Sequence, residues 1–212
     1  MTLKTMTLTI PVGFAHTNAH ICYDDTTREG VLIDPGGEAA KISAKIAERG
    51  ITIKAILLTH GHLDHIGASD ELREALKTEV YTSKKEAALA NDQNMNGTAF
   101  FRMPPITATI DHFLEDKQEL ELPCGKIRVL STPGHTHGHL SYYLPHADIL
   151  FSGDCLFHES YGRYDLPTGD FAVLRKSLMS LFELPPQTIV YSGHGQATTI
   201  EHEIAHNLIH KS

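Results

Sequence analysis

Seven consecutive residues, Thr59-His60-Gly61-His62-Leu63-Asp64-His65, carry three imidazoles and a carboxylate directly after the apolar run Ala55-Ile56-Leu57-Leu58. Imidazole and carboxylate are donors for zinc, iron or manganese, so the stretch reads as a metal site. His60 and His62 stand two apart, and in an extended segment such residues lie on the same side and can share one ion. Asp64 and His65 follow after the chain begins to turn, which frees them to serve a second ion. A buried strand ending in such side chains delivers them to a loop at the sheet's end, where function concentrates.

Three later segments repeat this logic. Val129 to His135 reads as a strand, a turn and a histidine; Ile149 to Asp154 as a strand, a glycine and a carboxylate; Ile189 to His194 as a strand, a glycine and a histidine. A glycine before each ligand lets the backbone turn tightly and approach an ion. Four strand ends that deliver ligands in this order make a joint signal that none of them makes alone.

The elements that must hold these ends are legible in outline. Met6–Ile10 alternates apolar and polar residues and is expected to stop at Pro11, with further strands over 18–23 and 30–34. A helix is expected from about Glu38 to Arg49, ended by Gly50, and a second from Ile66 to Lys77 that buries Leu72, Ala75 and Leu76. Val80-Tyr81 reads as a short strand and Lys84–Ala90 as a helix; residues 91–109, rich in Asn, Gly and Pro, form a long connection that covers a site. The second half adds strands over 120–122, 127–130, 141–144, 149–152 and 188–191. Asp170 caps a helix with Phe171, Leu174, Leu178 and Phe182 on one stripe. Thr198 and Glu201 have capping-box spacing for a last helix that buries Ile200, Ile204 and Leu208. Two halves, each mixing strands with later helices, predict two packed sheets with helices outside.

Composition bounds the function. A length of 212 residues suits one large domain or at most two small ones, and a net charge of -8 argues against nucleic acid as a partner. No apolar stretch approaches the roughly 20 residues of a membrane span, and the N-terminus lacks a signal peptide's apolar region. Three widely spaced cysteines do not make a disulfide framework, so a cytoplasmic location is expected.

The motif His60-x-His62-x-Asp64-His65, followed by His135, Asp154 and His194, resembles that of the metallo-β-lactamase superfamily over nearly the whole chain. The resemblance implies an α+β fold, the αββα four-layer sandwich, in a single hydrolase domain over residues 1–212. It implies that His60, His62 and His135 bind one divalent metal ion, that Asp64, His65 and His194 bind a second, and that Asp154 bridges them. Within the superfamily the chain is similar to the glyoxalase II group, the hydroxyacylglutathione hydrolases. That similarity rests on Asp34-Pro35-Gly36-Gly37, Leu58 to Gly67, Thr132 to Thr136, Ser152-Gly153-Asp154, Gly162-Arg163-x-Asp165 and Gly193-His194-Gly195. Longer members carry a C-terminal helical domain with glutathione contacts; this chain ends soon after His194 and matches the short, single-domain members.

The chemistry implied is hydrolysis of a small-molecule thioester such as S-lactoylglutathione. A water shared by two ions is acidified towards neutral pH and becomes a hydroxide nucleophile, and Asp64 is placed to accept its proton. A thiolate leaves with little acid catalysis, since a thiol pKa is about 8.5. Competing readings are a mononuclear iron dioxygenase of glutathione persulfide, a lactone hydrolase, a β-lactam hydrolase and a non-enzymatic metal-binding module.

Other residues have plainer readings. Tyr161, Arg163 and His158 are candidate pocket walls, with Arg163 and Asp165 expected as a buried pair bracing the Asp154 loop. Cys155 reads as a small buried hydrophobe. His137 and His139 read as supporting or surface residues, and His202, His206 and His210 as one face of the last helix.

Overall fold

A computed structural model describes residues 3–211. The first half folds as an antiparallel meander, β1 (Thr5–Val12), β2 (Thr17–Asp24) and β3 (Glu29–Ile33), and then changes to crossover connections. Helix α1 (Ala39–Arg49) returns the chain to β4 (Thr52–Leu57), parallel to β3. Two short helices, α2 (Leu63–Ile66) and α3 (Ser69–Leu76), lead to β5 (Val80–Thr82), and α4 (Lys84–Ala90) precedes β6 (His112–Phe113). These six strands lie in sequence order in one sheet.

A second six-stranded sheet takes β7 (Glu119–Leu122), β8 (Gly125–Ser131), β9 (Leu140–Leu144), β10 (Ile149–Gly153), β13 (Ile189–Ser192) and β14 (Thr198–Thr199), in the order β14-β13-β10-β9-β8-β7. A small hairpin, β11 (Leu156–Phe157) and β12 (Ser160–Tyr161), follows β10, and α5 (Phe171–Leu181) and α6 (Ile200–His206) flank this sheet.

Alternation along the strands builds the layers. Val31 and Ile33 on β3 and Ala55 and Leu57 on β4 pack with Val129, Tyr142 and Phe151 between the sheets. Their neighbours Leu32 and Ile56 join Ile42, Ile46 and Leu72 of α1 and α3 on the opposite face. On the far face of the second sheet, Tyr143, Leu150 and Val190 meet Leu174, Leu178 and Leu181 of α5. The result is the four-layer αββα sandwich expected from the sequence.

Several local expectations need correction. Pro11 does not stop β1; it pairs with Asn18 inside the strand, because β1 is an edge where a missing N–H costs no ladder bond. The helix expected over 66–77 is two helices, and Ala75 is exposed. At α6 the capping residue is Thr199, which accepts from His202 N; Ile200 is buried as expected, but Ile204 is 44% exposed and Leu208, beyond the end of the helix, 46%. The side chain turned inward there is Glu203, fully buried, whereas the apolar residues at four-residue spacing suggested a different face. Cys22, Cys124 and Cys155 are buried free thiols, as a chain without a disulfide framework requires. Among the described residues no helix is long and apolar enough to cross a membrane.

Candidate metal centre

The seven candidate ligands converge at one edge of the two sheets. The loop after β4 carries His60 and His62, and the first turn of α2 carries Asp64 and His65. The second sheet sends His135 from the β8–β9 connection, Asp154 from the end of β10 and His194 from the end of β13. A one-residue irregularity between Phe151 and Gly153 interrupts the β10–β13 register just before Asp154; such bulges re-aim a side chain at a sheet's rim. Gly193 is required by proximity: a Cβ there would collide with Asp154 Oδ1 and the His65 ring.

Two triads result. Donor atoms of His60, His62 and His135 lie within 4.8 Å of one another, and so do those of Asp64, His65 and His194. Asp154 stands between them, with Oδ1 3.3 Å from His65 Nε2 and Oδ2 3.4 Å from His194 Nε2 and 3.7 Å from His135 Nε2. His62 Nδ1 faces His135 Nε2 at 2.9 Å, and His194 Nε2 lies 3.4 Å from Asp64 Oδ2.

Hydrogen bonds to oxygen assign the donor nitrogen in three of the rings. His135 Nδ1 donates to the Arg163 carbonyl at 2.7 Å, which leaves Nε2 free to bind a cation. Thr59 Oγ1 donates to Asp34 Oδ2 at 2.6 Å, so its oxygen accepts from His60 Nδ1 at 3.0 Å. His60 Nε2 is then a buried lone pair, and it has no hydrogen-bond partner, nor does His62 Nε2. His65 Nδ1 donates to Asp34 Oδ2 at 3.0 Å, turning Nε2 towards Asp64, Asp154 and His194. Buried lone pairs converging on a common point cost free energy unless a cation meets them, and the donor set therefore fits metal ions.

The charges agree with that fit. Burial, reinforced by neighbouring imidazoles, pushes His60 well below the ordinary histidine range and His62 down to about 3; burial also lowers His135. These three are neutral, as ligands must be. For Asp64, burial acts upward, but the His65 charge and the His194 hydrogen bond prevail and bring it down to about 2. Asp154 is held well below the carboxylate range by the same two histidines, against its burial. The carboxylates in turn raise His65, and raise His194 to about 9, against burial, so these two rings hold protons that a metal ion would have to displace.

Four residues support the candidate ligands, and only for His139 was such a role read from the sequence. Asp34, at a φ of 50° beyond the end of β3, accepts from Thr59 N and Oγ1 and from His65 Nδ1. Its carboxylate is therefore saturated by donors, and it orients ligands. Glu86 on α4, fully buried, accepts from Gly61 N, Thr136 Oγ1 and Gly138 N, each at 2.8 Å, and so clamps the His60–His62 loop to the His135 loop. Asn18 Nδ2 donates to the carbonyls of Ser192 and Gly195 on either side of His194. His139 is buried, and its Nε2 accepts from Asp154 N at 3.1 Å while Nδ1 donates to Thr132 Oγ1. The supporting role read for the His137/His139 pair thus holds for His139. A signal for Asp34 was present: it is a carboxylate at the end of a buried strand, as Asp154 is.

A cavity of about 400 Å³ opens over the triads. The turn after β1 gives it Phe14, the 91–109 connection gives Met95, Phe100 and Phe101, and the segments after β10 give Phe157 and Leu166. The connection thus covers the site as expected, held by buried Asn96, whose Nδ2 donates to the carbonyls of Ala90 and Ile106. Arg163 lines the cavity, whereas His158 and Tyr161, the other candidate walls, do not. Tyr161 packs instead near Phe171, and His158 stacks on His202. The Arg163–Asp165 pair is present at 2.8 Å but is not buried, with side chains 51% and 63% exposed. It sits in solvent because Arg163's structural contact with the site is made by its carbonyl.

Comparison with known proteins agrees with this geometry. The family model for the metallo-beta-lactamase superfamily matches residues 12–194. The chain belongs to the metallo-β-lactamase superfamily. It is 34% identical over 197 residues to hydroxyacylglutathione hydrolase GloC of Haemophilus influenzae, covering 92% of each chain. Its structure is similar to that of BLEG-1 B3 metallo-beta-lactamase, with a TM-score of 0.91 and 41% identity, over 95% of this chain and 98% of that one. It is also similar to TTHA1623 in a di-iron-bound form, with a TM-score of 0.85 and 38% identity, over 94% of this chain and 98% of that one. The His/Asp clusters and the di-iron relative together support a binuclear metal site.

Proposed function

We propose that this protein is a binuclear metal-dependent hydrolase of thioesters, of the glyoxalase II kind, acting on a substrate such as S-lactoylglutathione. The observation that carries the reading is the arrangement of two ligand triads on either side of Asp154 beneath an open cavity. The 34% identity to GloC over most of both chains supports the thioester. His60, His62 and His135 would hold one ion, Asp64, His65 and His194 the other, and Asp154 both. When bound, such ions supply a nucleophilic water at neutral pH and polarise a carbonyl oxygen.

The chain's own residues have definable parts. Asp64 Oδ2 accepts from Thr17 Oγ1 at 3.0 Å, which fixes the carboxylate with its charge facing the triads. Held down to about 2, it is ionised near neutral pH and would serve as a ligand first and as an acceptor for a proton released in the cavity. Phe14, Phe101 and Phe157 shield the reacting carbonyl from bulk water. A thioester suits this lining because a thiolate departs without a proton donor.

Hydrolysis of a β-lactam is the second reading, favoured by the 41% identity to BLEG-1. It demands a proton for the departing nitrogen, and among the described residues lining the cavity the groups that could carry one are the imidazoles and carboxylates read here as ligands. One preparation tests both readings: metal content by elemental analysis, with turnover of S-lactoylglutathione, of a chromogenic cephalosporin and of glutathione persulfide. Two ions per chain with thioester turnover is the expected result. Turnover of the cephalosporin alone, or a single iron with oxygen uptake on the persulfide, would overturn the reading.

A further inference from the structure

A second cluster of metal-capable side chains lies outside the cavity lining. The β11–β12 hairpin turns at His158 and Glu159 and rests on α6. There Glu159 Oε1 lies 3.0 Å from His202 Nε2 and 4.0 Å from His158 Nε2. The rings of His158 and His202 are nearly parallel, with centroids 4.9 Å apart, and the ring of His206 is 4.5 Å from that of His202. Donor atoms of His158, Glu159 and His202 all lie within 4.8 Å of one another.

The backbone holds this cluster together independently of its side chains. Buried Glu203 accepts from Glu159 N with both oxygens, at 3.1 and 3.0 Å, and from Thr198 Oγ1 and Asn207 Nδ2. Asn207 Nδ2 also donates to the Ser160 carbonyl at 2.8 Å. The turn bearing His158 and Glu159 is thereby pinned to the helix bearing His202, so the entropy of bringing the donors together is already spent in folding. Among the described residues Glu159 has no Lys or Arg partner; its ion-pair neighbours are the imidazoles of His158 and His202. All three side chains are partly open to solvent, which gives an ion a route in.

We propose that His158, Glu159 and His202 form a third divalent-cation site of the zinc class, with His206 adjacent as a further donor. Two imidazoles and a carboxylate are a common zinc donor set. In tetrahedral zinc, bonds of about 2.0–2.1 Å put neighbouring donors about 3.3 Å apart, so small side-chain adjustments complete the site. The proposal is independent of what the cavity hydrolyses. An ion there would staple the hairpin that follows Asp154 to α6. Phe157, which precedes His158, lines the cavity and lies 6.0 Å ring to ring from His194.

The test uses protein whose cavity site is already loaded with metal. It is equilibrated with excess zinc, freed of unbound ion by gel filtration and analysed for metal. The parent should carry one zinc per chain more than His202→Ala and Glu159→Gln, and titration calorimetry should show one additional binding event that both variants lose. A second measurement needs no variant: zinc should protect His158 and His202 of the parent from diethyl pyrocarbonate. Equal zinc content in parent and variants, or unprotected modification of His158 and His202 in excess zinc, would overturn the proposal.

Discussion

Asp34 Oδ2 accepts from His65 Nδ1 at 3.0 Å and, through the Thr59 hydroxyl, also sets the tautomer of His60. One buried carboxylate thus aims one ring of each triad. Asp34→Ala should free both rings to reorient and weaken metal binding about 10- to 100-fold. Competition with a chromophoric chelator measures it; unchanged affinity at both sites would show that packing alone orients the rings.

Asp154 is the carboxylate within reach of both triads. Asp154→Ala should weaken both ions together, so that metal content falls towards zero and not to one ion per chain. A variant that keeps one full equivalent would mean that the triads act separately.

Asp64→Asn keeps the size of the side chain and one oxygen while removing its charge. His60, His62 and His135 are untouched, so the first ion should remain, while kcat falls by a factor on the order of 100 or more. Metal content and kcat on one preparation decide the matter. Turnover at the parent rate with both ions bound would make Asp64 a spectator.

Phe101 is 45% exposed at the cavity mouth, tilted against Phe14 and edge-on to Phe100. It can contribute apolar contact area without touching the reacting bond. Phe101→Ala should raise KM for apolar thioesters by a factor of roughly 5 to 10 and leave kcat nearly unchanged. A loss confined to kcat would instead assign Phe101 to the chemistry.

His20, outside the two triads, gives a pH signature of its own. Its Nε2 donates to the Ser192 carbonyl, Nδ1 accepts from Thr9 Oγ1, and burial lowers it from 6.5 to about 4. Between these values the unfolded chain binds more protons than the folded one, so stability rises with pH. The neutral ring's full contribution is present above 6.5 and is lost as pH falls towards 4, a change of about 3 kcal/mol. Urea unfolding of the parent and of His20→Gln across that window should show a shallower slope for the variant; parallel slopes would exclude His20 as a source.

The candidate ligands stood out because each group follows the end of a strand, and strand ends are places that a linear pattern reveals. The four layers were legible for a related reason: Val31, Leu32 and Ile33 are all apolar, as a strand covered on both faces must be. What supports the ligands was less visible. Glu86 lies in the first turn of α4 and reaches Gly138, 52 residues away, so no local spacing announces that contact. Glu203 hides behind Ile204, whose hydrophobicity suggested the wrong face of α6 for burial. Arg163 looked like a charge with a task, yet the group that meets His135 is its carbonyl, which every residue possesses.

The two triads draw their members from both sheets: His60, His62, Asp64 and His65 hang from the first, and His135 and His194 from the second. An ion seated in either triad is therefore a cross-link between halves of the chain that otherwise meet through the apolar interior and hydrogen bonds. Its binding energy adds to the cohesion of the sandwich by mass action. Scarcity of metal would then be felt as mechanical loosening, with amide protons along the facing strands exchanging faster. For a cell short of metal, occupancy of these candidate sites would then set how long the protein survives proteolysis.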